Sequence, residues 1–112
     1  MNSSEFVTGL KNSVVHENFS SYKNLYLNTN AESATDDYWK NSLTLFNSLT
    51  NEQKTIFFEI IKQTIIDTTS NILGVIDGAT TIAGARDEFS LSYGKDEKSL
   101  EGDLQSLFLA EL

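Results

Sequence analysis

The sequence predicts a mainly α-helical protein, a bundle of about four helices with a small β-hairpin near its C-terminal end. The 112-residue chain contains no proline, and four of its six glycines lie at or after Gly78, so little interrupts a helix before that point. Seven Phe, four Tyr and one Trp provide the apolar surface that a core needs. The length is that of one domain, residues 1–112.

Two helices are predicted in the first half of the chain. The first covers residues 4–27, and a polar loop follows over residues 28–33. Its apolar stripe has helical spacing and consists of Phe6, Leu10, Val14, Val15, Phe19 and Tyr22. The second helix is predicted to begin near Thr35, whose hydroxyl would cap a first turn that contains Asp36 and Asp37. Its apolar face holds Trp39, Leu43 and Phe46.

The third helix, residues 51–75, carries the broadest apolar stripe and is predicted to be the central helix. Thr50 and Gln53 have the spacing of a capping box, and Gly78 is a candidate for a left-handed stop after the helix. Four apolar residues of this helix lie too close together in sequence to share one narrow buried stripe: Phe57, Phe58, Ile60 and Ile61. We therefore expect part of this helix, Phe58 in particular, to meet another subunit.

The C-terminal third is predicted to be irregular or extended before a last helix. Residues 78–86 are small and flexible and indicate a connector. Residues 87–93 alternate apolar and polar side chains, which is typical of a half-buried strand, and residues 99–101 are predicted to return as a short second strand. Residues 102–111 have the amphipathic pattern of a final helix.

The net charge of −8 limits the partners that the protein can have. Residues 1–50 carry three basic and five acidic groups, whereas residues 51–112 carry five basic and eleven acidic groups. An acidic surface repels phosphate backbones and anionic lipid, so we expect neither a nucleic-acid nor a membrane partner. It attracts a basic protein, although solubility alone also accounts for the charge.

Several kinds of site are excluded or disfavoured by composition. The absence of cysteine excludes disulfides, thiolate zinc sites and cysteine nucleophiles. The first residues lack a signal-peptide pattern, and no run reaches the roughly 18 apolar residues of a membrane span, so we expect a cytoplasmic protein. His16, the only histidine, lies in no catalytic motif, and the segment from Gly78 to Gly84 fails the spacing of a phosphate-binding loop. We expect no catalytic residue, no cofactor and no metal ion.

Three short segments near the C-terminus resemble small uncharacterised bacterial proteins, some of which are similar to the immunity proteins of polymorphic-toxin systems. The segments are residues 75–78 (VIDG), 89–91 (FSL) and 100–104 (LEGDL), followed by Phe108-Leu109. The resemblance covers the last third of the chain. It implies a bacterial or phage origin and no known active site.

The sequence therefore favours a non-enzymatic, acidic protein-interaction module, and in its sharpest form an immunity-like inhibitor of a basic toxin. The predicted partner-binding residues are the acids of the C-terminal third, Asp87, Glu88, Asp96, Glu97, Glu101 and Asp103. One alternative is a structural or regulatory domain that forms a homodimer through its central helix. Another is an acid-based or metal-dependent enzyme, because clustered carboxylates also bind hard cations.

Overall fold

The protein is an elongated helical bundle arranged along one long helix. The computed structural model describes all residues from Met1 to Leu112. Its radius of gyration is 17.8 Å and its dimensions are 51 × 30 × 26 Å, whereas a compact domain of this length has a radius of gyration of about 13 Å. In chain order the α-helices are α1 (Ser3–Leu10), α2 (Asn18–Asn28), α3 (Asp37–Ser48), α4 (Asn51–Asp77) and α5 (Leu104–Ala110).

A π-helical segment, Lys11–Glu17, joins α1 and α2 into one continuous helical rod. The rod confirms the helix predicted over residues 4–27, and the only regular structure in the loop after it is a 3₁₀ turn at Ala31–Ser33. The π segment was not predicted. Its wider turns change which side chains face inward, and Val15 is fully buried while Val14 is only half-buried.

The ends of the two middle helices are determined by local capping. The side chain of Thr50 accepts a hydrogen bond from the Gln53 N–H at 3.1 Å, and the Gln53 side chain accepts one from the Thr50 N–H at 2.9 Å. This confirms the predicted capping box of α4, and Gly78 with φ of +81° confirms the predicted stop. The predicted cap of α3 is wrong by one residue, because Asp36 rather than Thr35 accepts the Tyr38 N–H, at 2.7 Å.

Two separate apolar clusters lie along the molecule, and α4 contributes to both. The first joins the N- and C-terminal parts of the chain and consists of Val7, Val15, Leu73, Leu100, Leu104 and Phe108. The second lies among α2, α3 and α4 and consists of Tyr26, Leu43, Phe46 and Phe58. The prediction that the third helix is the central one is therefore confirmed.

The aromatic pair on α4 is packed differently from the prediction. Phe58 is buried, with 8% of its surface exposed, and its ring lies 5.3 Å from that of Phe46. Phe57 and Ile61 are half-buried, while Ile60 is 60% exposed. One of the four apolar residues is thus left on the surface as the sequence indicated, but it is Ile60 and not Phe58.

The predicted C-terminal β-hairpin is wrong, because residues 78–103 form no strand. The chain does fold back on itself through a single antiparallel bridge between Ser92 and Ser99, beside a hydrogen bond from the Leu100 N–H to the Leu91 carbonyl at 2.7 Å. A two-stranded hairpin is only marginally stable without a surface to pack on. Of the alternating face, only Leu91 packs against the first apolar cluster, while Phe89 and Tyr93 remain 45% and 55% exposed, so most of that face has no such surface.

The last helix is confirmed, with bounds slightly shorter than the predicted 102–111. Leu104 and Phe108 are fully buried in the first cluster. At the end of α5, Glu111 accepts a hydrogen bond from the Thr8 hydroxyl and lies 3.7 Å from the Lys11 ammonium. These contacts bind the C-terminus of the chain to its N-terminal helices.

Candidate functional site

The candidate site is built around Asp77, the last residue of α4. Its carboxylate accepts three backbone N–H groups, one from Gly102 in the loop before α5 at 2.7 Å and two from the first residues of α5, Leu104 at 3.1 Å and Gln105 at 2.8 Å. The first N–H groups of a helix have no partner within that helix. Asp77 therefore caps α5 from a distant part of the sequence and fixes the loop before α5 against the end of α4.

An open groove of about 610 Å³ lies beside this junction. Four of the ten residues that line it are acidic, Asp77, Asp87, Glu88 and Glu101, and none is basic. The remaining lining consists of small, hydroxyl or apolar residues from the end of α4 and the irregular segment. A concave surface lined by one sign of charge concentrates the field and attracts ions of the opposite sign.

Glu101 holds one wall of the groove in place. Its Oε1 accepts the Leu91 backbone N–H at 2.7 Å, which fastens the irregular segment to the loop before α5. The pKa of Glu101 is lowered, chiefly by the Ser99 hydroxyl and then by the Leu91 N–H, because both stabilise the charged form. Glu101 is half-buried and remains ionised at neutral pH.

The structure brings three of the six predicted partner-binding residues together. Asp87, Glu88 and Glu101 line the acidic groove. Asp96 lines a different depression, formed with residues 1–4 and 98–100. Glu97 and Asp103 are exposed and line neither of these two surfaces. The acids of the C-terminal third therefore do not form one continuous patch.

Sequence reasoning missed the capping role of Asp77. It treated this residue only as one of several carboxylates and as part of the end of the third helix. A signal was present, because an acidic residue in the last turn of a helix is disfavoured by the helix dipole unless donors elsewhere compensate it. Asp103, at the sequence position of the α5 cap, makes no capping hydrogen bond with its side chain.

The structure offers no cluster of three or more histidine or acidic side chains that could hold a metal ion. The groove carboxylates are too dispersed for this, and Asp77 already accepts three N–H groups. His16 is exposed in the π-helical segment, and none of the groove residues lies near it in sequence. The chemical character of the groove is therefore the negative charge of its four carboxylates.

No helix combines the length and the apolar character that crossing a membrane requires. Comparison of the chain with protein-family models, curated proteins and solved structures gave no match.

Proposed function

We propose that the protein is a non-enzymatic interaction module of the cytoplasm, an immunity-like inhibitor that binds a basic protein through its acidic groove. The observation that supports this is the groove itself, whose lining contains four carboxylates and no basic residue. Two of the four, Asp87 and Glu88, are exposed, so an approaching basic side chain can reach them.

Charge in such a site acts mainly on the rate and selectivity of association. A negative groove accelerates the approach of a positive partner and disfavours acidic competitors. Arginine fits this surface best, because its planar guanidinium binds a carboxylate through two parallel hydrogen bonds. The proposed partner therefore presents an arginine- or lysine-rich loop or helix to the groove, and salt weakens the complex.

The acids of the groove divide into two kinds under this proposal. Asp77 and Glu101 accept backbone N–H groups and shape the groove. Asp87 and Glu88 carry the charge that meets the partner; Asp87 accepts only the N–H of its neighbour Glu88, at 2.8 Å. Substitution of the second pair should therefore reduce binding without unfolding the protein.

The test is an affinity capture from bacterial lysate at low and moderate salt, followed by mass spectrometry and a titration of the purified partner. The bait proteins are the unmodified chain, the double variant Asp87→Lys/Glu88→Lys, and the control Glu32→Lys/Glu59→Lys. The control changes the net charge equally at two exposed residues. Glu59 lies about 27 Å along α4 from Asp77, given a rise of 1.5 Å per residue.

A stoichiometric basic partner that binds the control but is lost with the groove variant is the expected result. Equal loss with both variants would mean that net charge and not the groove attracts the partner. Unchanged binding by the groove variant would refute the proposal.

A second candidate function, a homodimeric structural or regulatory domain, is favoured by an uncharged apolar groove on the other half of the molecule. Seven of its ten lining residues are hydrophobic, and none is charged. Tyr38 and Ile60 project from it with 63% and 60% of their surfaces exposed. In a chain of net charge −8, an uncharged face is where two copies meet with the least repulsion.

Sedimentation analysis at several hundred micromolar tests this candidate. A dimer that becomes a monomer in the variant Ile60→Glu, but not in Ile72→Glu, is expected if the groove is the interface. Ile72 is the matched control because it is also exposed on α4, at 57%. A monomer at all concentrations would eliminate the candidate.

A further inference from the structure

Three lysines converge on one cavity between α2 and α4, which is unusual in so acidic a protein. Lys23, Lys54 and Lys62 line a cavity of about 430 Å³ together with a single acid, Glu59. They are three of only eight basic residues in the chain, against sixteen acids. This cavity, which we term the lysine pocket, is thus a locally basic site on an acidic molecule.

The ammonium groups of the lysine pocket are not neutralised by carboxylates. The only ion pair within 4.0 Å in the whole structure is that of Lys11 with Glu111, so Glu59 pairs with none of the three lysines. Lys54 and Lys62 are nevertheless half-buried. Half-burial of a lysine residue chiefly covers its apolar stem, so the charged ammonium group can still meet an anion from solution.

Aromatic rings form the floor beneath these charges. The Lys23 ammonium lies 5.7 Å from the centre of the Phe58 ring, and the Lys62 ammonium lies 5.8 Å from that of Phe19. The Lys54 ammonium lies 5.0 Å from the centre of the Phe46 ring of α3, which does not line the pocket. Cation–π contacts hold the lysine stems against the apolar floor and leave the N–H donors free for a ligand.

We propose that the lysine pocket binds a small organic anion, a carboxylate or phosphate attached to an aryl or alkyl group. The apolar group would lie on Phe19, and the anionic group would receive N–H donors from Lys23 and Lys62, whose ammonium groups lie over the neighbouring Phe58 and Phe19 rings. The volume is within the range of about 300–1,000 Å³ that is typical of ligand sites. This site is separate from the acidic groove and does not depend on the function proposed for that groove.

The proposal is tested with 2-naphthoate as the anionic probe and 2-naphthalenemethanol as its neutral counterpart. Amide chemical shifts of the ¹⁵N-labelled protein are followed in each titration. We expect 2-naphthoate to shift the amides of α2 and the first half of α4, and to bind about tenfold more tightly than the alcohol, since charge-assisted hydrogen bonds to two lysines contribute to its affinity.

Lysine variants locate the site. Lys23→Gln/Lys62→Gln should weaken 2-naphthoate binding about tenfold and leave the alcohol unaffected, whereas the control Lys40→Gln/Lys95→Gln, which removes the same charge at exposed residues, should not change either affinity. Equal binding of the acid and the alcohol, shifts confined to another part of the chain, or an equal loss of affinity in both double variants would overturn the proposal.

Discussion

The carboxylate of Asp77 accepts the backbone N–H of Gln105, 28 residues later in the chain, at 2.8 Å. The same junction is closed from the other side, where the Gln105 side-chain amide donates to the carbonyl and hydroxyl oxygens of Ser70 at 3.0 and 3.1 Å. The end of α4 and the start of α5 are therefore held together by hydrogen bonds that Gln105 donates from both its backbone and its side chain. Because these bonds lie beside the acidic groove, they determine its shape.

Removal of the Asp77 carboxylate should destabilise the protein more than removal of the Asp103 carboxylate. Asp77→Ala leaves three N–H groups of the α5 start without an acceptor, two of them partly buried, and should lower the free energy of unfolding by about 2 kcal/mol. Asp103→Ala removes no capping bond and should cost less than about 0.5 kcal/mol. Urea unfolding of both variants measures this difference, and equal losses would contradict the capping role.

Gly74 and Gln105 should be energetically coupled. A Cβ added at Gly74 would lie 3.0 Å from Nε2 of Gln105, so the Gln105 side chain must give way and weaken its bonds to Ser70. In a Gln105→Ala background this crowding is absent, and Gly74→Ala should stabilise the helix by about 1 kcal/mol. In the unmodified chain the gain should be smaller or reversed. A double-mutant cycle of unfolding free energies measures the coupling, which additive effects would disprove.

Phe58 and Ile60, two positions apart on α4, should differ strongly in their contribution to stability. Phe58 packs in the second apolar cluster, so Phe58→Ala should cost about 3–5 kcal/mol. Ile60 is 60% exposed, and Ile60→Ala should cost less than about 1 kcal/mol, because alanine is also the better helix former. Thermal and urea unfolding provide the comparison. Similar losses of unfolding free energy at both positions would contradict the assignment of Phe58 to the buried face of α4 and of Ile60 to its exposed face.

The stability contribution of Glu101 should depend on pH in the acidic range. Its pKa is lowered in the folded protein by the Ser99 hydroxyl and the Leu91 N–H, so folding favours the ionised form. This contribution is therefore present above the pKa of the unfolded chain, about 4.3, and is lost as the pH falls through the lower folded value.

Ser99→Ala should move the pKa of Glu101 upward, and Glu101→Gln should flatten the corresponding part of the stability profile. Carboxyl-carbon NMR titration gives the pKa, and urea midpoints between pH 2.5 and 6 give the profile. A Glu101 pKa that does not change in Ser99→Ala would rule out the assigned cause.

The helices could be predicted because their signals are local. The Thr50–Gln53 capping box and the stop at Gly78 act over at most three or four residues, and both are found where the sequence placed them. The hairpin over residues 87–101 could not be predicted correctly from alternation alone. An alternating segment forms a stable strand only when other residues cover most of one face, and in this protein Leu91 is packed but Phe89 and Tyr93 stay exposed.

The candidate site was predicted in part. Composition indicated an acidic C-terminal third, but only three of the six proposed residues, Asp87, Glu88 and Glu101, lie in one groove. The positions of acidic residues in the sequence do not show how an irregular segment folds back on itself. The bonds that arrange it, from Leu91 to Glu101 and from the start of α5 to Asp77, join residues that are 10 to 28 positions apart.

The sequence by itself determined the helical class, the approximate bounds and amphipathic character of each helix, the central place of α4 and the net charge. These features follow from spacing, capping and composition within short segments. Only the tertiary structure decided which face of α4 is buried, how Asp77 caps a helix of another segment, and which lysines lie over the rings of Phe19 and Phe58. These features depend on how the helical rods pack against each other, and that packing is a balance of contacts between residues far apart in the chain.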